Sequence, residues 1–167
     1  DRIKANNGFI PILKEVLSFD KSFKYPFDSL ETLAILSPED KSFRLFNWIL
    51  RKDNGTYDYF CLIHYNNKKK KKFEIIELFD KSETIRNEKF KDLDSKNWYG
   101  ALYYEIIYIK KSGRKYYTLL GWDGNDGRST KKIIEPIYFS GKNKVKFGLP
   151  IFKLKDKTRP KRIILEC

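Results

Sequence analysis

Two periods alternate along the chain. Phe9, Ile12, Leu13, Val16 and Leu17 fall at i, i+3, i+4, i+7 and i+8, one face of a helix. That spacing predicts a short helix over 8–18. Asn7 would cap it, Pro11 would sit in its first turn, and Lys14 and Glu15 would lie on its other face. Pro26 then disfavours helix at Tyr25, and the period shortens to two. In 43–50, Phe43, Leu45, Asn47 and Ile49 alternate with Arg44, Phe46, Trp48 and Leu50; 56–66 does the same with Tyr57, Tyr59, Cys61, Ile63 and Tyr65 on one side. Further strands are predicted over 30–36, 73–79, 98–110, 114–122, 131–139, 144–154 (interrupted near Gly148 and Pro150) and 161–167. The charged stretch 81–94, anchored only by Ile85, Phe90 and Leu93, reads as a short helix or an irregular excursion.

The connections are short and rich in turn residues. Asp53-Asn54-Gly55 and Lys111-Ser112-Gly113 are hairpin turns, and Ser140-Gly141-Lys142-Asn143 is a further turn. About nine strands with such links predict a mainly β single domain. The expected architecture is an antiparallel meander, either a curled barrel or a two-layer sheet, with one short N-terminal helix packed on it. Residues 1–28 form the helix and an extended lead-in, and 29–167 form the β meander. No internal repeat of fixed period is present, which argues against a solenoid or propeller.

The hairpin over 98–122 is the densest apolar stretch. Tyr99, Tyr103, Tyr104, Tyr108, Tyr116, Tyr117 and Trp122 occupy both of its faces. One face must be core. The other is expected to be a second core layer under the helix or another sheet, the alternative being an exposed platform for carbohydrate or peptide. Glu105 stands mid-strand among these aromatics and would need a partner if buried.

Composition narrows the chemistry. The chain has 167 residues and a net charge of +13, and no apolar run reaches the length of a membrane-spanning helix. Of 35 basic residues only eight are arginine. Nucleic-acid surfaces favour arginine for bidentate and stacking contacts, so nucleic acid is disfavoured as a partner. A solvated basic surface in a lysine-rich, A/T-biased sequence is the simpler reading. Lysines nevertheless recur at hairpin tips: Lys68 to Lys72, Lys110-Lys111 with Arg114-Lys115, and Lys155 to Arg162. If the tips converge they form a patch for a polyanion or an envelope component; if they do not, they serve to discourage edge-to-edge pairing.

Catalytic and metal motifs are sparse. Cys61 and His64, three apart on one strand, point to opposite faces and make no dyad. The only other cysteine is Cys167, and no zinc spacing exists. Asp123-Gly124-Asn125-Asp126-Gly127 resembles a calcium loop, but positions six and twelve hold Arg128 and Ile134, not glycine and glutamate. No cofactor or metal is implied. The residues left as ligand-binding candidates are Glu105, Trp122, Asp123, Asn125 and Asp126.

Four segments taken together, SPEDKSFRLFNW at 37–48, NGTYDYF at 54–60, WYGALYYEII at 98–107 and YYTLLGWDGND at 116–126, resemble a family of uncharacterised exported proteins from Bacteroidota. The resemblance implies a periplasmic or outer-membrane-associated protein and brings no catalytic residue, cofactor or substrate. The expectation is a non-enzymatic binding or scaffolding domain of the cell envelope. The alternatives are a hydrolase-like enzyme with an acidic cleft built from Glu105, Asp123, Asp126 or His64, and a nucleic-acid or polyanion binder using the lysine-rich tips.

Overall fold

The computed structural model describes residues 1–141 and 144–167; the part of the expected turn at Lys142 and Asn143 lies outside the described residues. Helix α1 spans Arg2–Leu17. It starts earlier than its apolar spacing predicts because Asp1, not Asn7, is the cap: Asp1 Oδ1 accepts from the Ile3 N–H at 3.0 Å. Pro11 therefore lies inside the helix, not in its first turn. The inward stripe is also rotated. Asn6, Leu13 and Leu17 are buried, whereas Ile12 (60% exposed) and Val16 (37%) face outward. The reason is Trp48, whose buried indole N–H needs an acceptor and donates to Asn6 Oδ1 at 2.7 Å. Phe9 packs edge-on to the same indole at 5.4 Å.

After a short 3-10 helix, Asp20–Lys24, ten strands form two antiparallel sheets. The first is a meander of β1 (Ala34–Leu36), β2 (Phe43–Arg51), β3 (Tyr57–Asn67) and β4 (Lys72–Phe79). The second contains β5 (Leu93–Asp94), β6 (Leu102–Lys111), β7 (Arg114–Asp123), β8 (Lys131–Ser140), β9 (Lys144–Phe147) and β10 (Ile163–Glu166), in the order β5-β9-β8-β7-β6 with β10 also paired to β8. The expected strand 30–36 shortens to β1, and 144–154 shortens to β9, ended by Gly148 at φ +100°. The 81–94 excursion is irregular and closes with β5 on β9.

The arrangement has three layers. One face of the first sheet packs against the second sheet: Phe43, Leu45, Tyr59, Cys61, Ile63 and Leu78 meet Trp98, Tyr103, Leu119, Ile133, Ile137 and Phe147. The other face, through Phe46, Trp48 and Leu62, packs under Leu13 and Leu17 of the helix and Phe27 of the lead-in. The first sheet is thus apolar on both sides, which explains why β2 is buried at six successive positions. The 98–122 hairpin is covered on one side only. Tyr103 and Tyr117 point into the core, while Tyr104, Ile107 and Ile109 on the outer face are exposed. The helix lies over the first sheet, so the second core layer expected on this hairpin is absent.

Two buried polar devices tie the layers together. Asn47, fully buried on β2, donates through Nδ2 to Phe60 O (2.8 Å) and Ala101 O (3.1 Å), and its Oδ1 accepts from Tyr103 N (2.6 Å). Its amide thereby imitates a short length of β-ladder along the edge of β6. The second device is a chain of hydrogen bonds. Trp98 Nε1 donates to Tyr103 Oη (2.8 Å), which donates to Glu135 Oε1 (2.6 Å), and Glu135 Oε2 accepts from Arg162 Nε (2.7 Å). Arg162 also donates to the carbonyls of Glu88, Lys91 and Phe147. Glu135 and Arg162 are both wholly buried. Burial raises the Glu135 carboxyl above its ordinary value, with the Arg162 charge and the Tyr103 hydroxyl working against it. Gly148 is required beside this pair, since a Cβ there would lie 2.7 Å from Arg162 Nη2.

Candidate functional site

The lysine-rich tips do meet, in part. The β3–β4 turn belongs to the first sheet; the start of β7 and the end of β8 belong to the second. The sheets stack so that these three ends lie at the same end of the molecule. They enclose a cleft of about 390 Å³ lined by Tyr65, Lys68, Lys69, Lys70, Lys115, Tyr138, Phe139 and Ser140 among others. Tyr65 and Phe139 stack almost parallel across the two sheets, 4.2 Å between centroids. Phe139 in turn packs on Phe43 at 5.1 Å, so this aromatic pair is anchored in the main core.

One wall of the cleft is a set of polar contacts around Asp40. Its carboxylate accepts from Lys115 Nζ (2.8 Å), Tyr117 Oη (2.8 Å), Ser42 Oγ (2.8 Å) and the Ser42 N–H (3.2 Å). Burial would raise this carboxyl, but the four donors outweigh burial and hold it down at about 2. The Lys115 ammonium is correspondingly favoured by the Asp40 hydrogen bond. Burial pushes the Tyr117 hydroxyl up, so it remains a neutral donor. Lys68 and Lys69 form no ion pair among the described residues, while Lys70 and Lys72 approach Glu74 at 3.9 and 3.5 Å. The cleft therefore brings exposed lysines and aromatic side chains together. The sequence identified the lysines; it gave no reason to pick Asp40, Tyr65, Tyr138 or Phe139, which become neighbours only when the two sheets stack.

Lys155 to Arg162 does not join this cleft. Arg162 is the buried partner of Glu135, and Lys161 pairs with Asp92 at 2.5 Å.

The residues singled out from the sequence lie elsewhere. Glu105 is exposed on the outer face of β6. Trp122 is half-buried, its ring edge-on to Tyr57 at 5.3 Å. Asp123 points inward, accepting from Tyr59 Oη (2.8 Å), Tyr99 Oη (3.4 Å) and the Asn125 N–H (2.8 Å). Asn125 donates through Nδ2 to Ser129 Oγ (2.8 Å) and Glu166 Oε1 (3.3 Å). Asp126 accepts from the N–H groups of Arg128 (3.0 Å) and Ser129 (3.1 Å), with the Arg128 bond the first cause of its lowered pKa. The 123–129 loop thus spends its polar groups on its own closure and on holding β10. Among the described residues no three His, Cys, Asp or Glu side chains cluster as metal ligands.

His64 is sealed in the helix-side core between Phe23 (5.0 Å) and Phe73 (5.6 Å). Arg44, beside it, is held by the carbonyls of Tyr25 (2.6 Å) and Ser22 (2.7 Å) and faces the rings of Phe23, Phe27 and Phe46. Among the described residues, Glu105, Asp123, Asp126 and His64 line none of the cleft and hollows named in this structure. A second hollow, of about 580 Å³ at the opposite end of β3, collects Asp58, Glu77, Asp80 and Glu83. There Asp58 pairs with Lys52 at 2.9 Å, Glu77 pairs with Lys14, and Asp80 Oδ1 accepts from Ser82 N and Oγ and Gly100 N. Those three carboxylates are occupied in holding turns and loops. Both cysteines are free, Cys61 buried and Cys167 exposed.

No protein-family model, curated protein or solved structure matches this chain.

Proposed function

We propose that the domain is a non-enzymatic binding module that holds an anionic polysaccharide in the cleft at the lysine-rich end of its two sheets. One observation carries this: hairpin ends from both sheets bring Lys68, Lys69, Lys70 and Lys115 around a cleft that Tyr65, Tyr138 and Phe139 also line. Aromatic faces accept the apolar faces of sugar rings, and lysine ammonium groups meet carboxylate or sulfate substituents as point charges. The volume falls within the range of about 300–1,000 Å³ usual for ligand sites. The resemblance to exported Bacteroidota proteins would put such a ligand in the cell envelope. Arginine, the residue suited to bidentate phosphate contact, is not among the described residues that line the cleft.

Titration calorimetry with a uronic-acid or sulfated oligosaccharide tests the reading. Binding is expected to weaken as salt rises. The combined variant Lys68→Glu, Lys69→Glu, Lys70→Glu should weaken it by about tenfold or more, since each lost contact is worth on the order of 1 kcal/mol. Tyr138→Ala should weaken it without changing the salt slope. Tighter binding of single-stranded DNA of matched charge would shift the assignment to nucleic acid. No binding to any polyanion at about 50 mM salt, where such contacts are strong, would overturn it.

A further inference from the structure

The outward face of α1 is apolar and uncovered. Ala5, Gly8, Ile12 and Val16 are all exposed along it, at spacings of three and four that keep them on one side of the helix. Phe19 (64% exposed) and Tyr25 (59%) extend the apolar surface past the helix end, beside a hollow of about 230 Å³ lined by Val16, Phe19, Tyr25 and Phe27. Nothing inside the chain explains Gly8. It lies in the helix interior, where glycine is unfavourable relative to alanine, and a Cβ there would meet open space.

We propose that this face binds a second copy of the chain, the two α1 helices lying antiparallel across a two-fold axis that passes between Gly8 and Ile12. The charges on the helix fit this occupant. Lys4 and Glu15 are exposed and stand eleven positions apart, three turns, so they flank the apolar face on the same side. Neither forms an ion pair within the chain among the described residues. Antiparallel pairing brings Lys4 of each copy to Glu15 of the other, twice by symmetry. The same register sets Gly8 against Ile12 and Ala5 against Val16, small against large. One helix pair buries less than the roughly 1,200 Å² of a standard stable interface, so the association is weak and concentration-dependent.

Sedimentation velocity over a concentration series, with reductant to keep Cys167 from cross-linking, reads the outcome. The wild-type mass should rise from one chain to two. Ile12→Lys should remain monomeric, and Lys4→Glu should raise the dissociation constant by about tenfold, the equivalent of roughly 1.4 kcal/mol. The double variant Lys4→Glu, Glu15→Lys should recover it. Gly8→Leu should raise the melting temperature while lowering self-association, which separates helix stability from pairing. A monomeric wild type at every concentration overturns the proposal. Failure of the charge swap to restore a dimer does so too, as does binding of the wild type to neutral phosphatidylcholine vesicles with no dimer in solution.

Discussion

His64 illustrates how burial decides the meaning of a residue. It is fully buried, and neither ring nitrogen has a hydrogen-bond partner among the described residues. Burial first, and the Arg44 charge second, lower its pKa from 6.5 to about 4. The folded protein therefore keeps the imidazole neutral while the unfolded chain takes up a proton below pH 6.5. Stability from this group is complete above pH 6.5 and is lost as the pH falls toward 4. The shift corresponds to about 3 kcal/mol. Urea unfolding at pH 7 and pH 4 should show the wild type losing about that much more stability than His64→Leu. Equal losses in the two proteins would refute the assignment. The sequence placed His64 on the strand face opposite Cys61 and left it as one residue of an alternative acidic cleft. It could not show that Phe23, from the lead-in, would close over it.

At the scale of elements, the periods were legible and the slips were not. Alternation located β2, β3, β6, β7 and β8, and the turn residues located the hairpins between them. Ser112 and Gly113 do take positive φ, 49° and 75°, as a two-residue hairpin turn requires. What alternation cannot show is a bulge. The pairing of β6 with β7 shifts between Tyr103 and Glu105, leaving Tyr104 as the extra residue. One added residue exchanges the faces of everything beyond it. Glu105 thereby moves to the solvent side, and Ile106 takes the inward place opposite Leu119. A polar residue on a core face is the opposite kind of signal, and Asn47 gave it, alternating with Phe43, Leu45 and Ile49. Its amide satisfies Ala101 O and Tyr103 N. Asn47→Leu should leave that N–H unpaired and cost about 1–3 kcal/mol. Hydrogen exchange at Tyr103 should accelerate in step. An unchanged exchange rate would mean that the edge of β6 is held by something else.

At the scale of the whole molecule, the two hollows at the ends of β3 carry opposite character. Lysines gather at one; at the other Asp58, Glu77, Asp80 and Glu83 outnumber Lys52 and Lys81. The charge total was visible in the composition; its separation was not, because it depends on how the sheets stack. The same holds for the buried pair. Glu135 fell within the strand expected over 131–139 and Arg162 within the basic run Lys155 to Arg162, and nothing in the sequence joined them. Glu135→Gln leaves the Arg162 charge buried without its counter-ion and should cost about 3–5 kcal/mol. Replacing both with apolar residues, Glu135→Leu with Arg162→Met, should cost less than the sum of the single changes, as a double-mutant cycle would show. Simple additivity would remove the coupling. The position of Arg162 along the chain has a consequence for synthesis. The first sheet, complete by Phe79, contains all its own pairings and can assemble as soon as it leaves the ribosome. The 81–94 excursion cannot, since the guanidinium that satisfies the carbonyls of Glu88 and Lys91 arrives more than seventy residues later. The apolar face of the first sheet that receives Trp98 and Phe147 stands open until those residues have been made, so the nascent chain passes through an interval in which its largest core surface is uncovered, and the 81–94 loop stays unfastened until Arg162 follows.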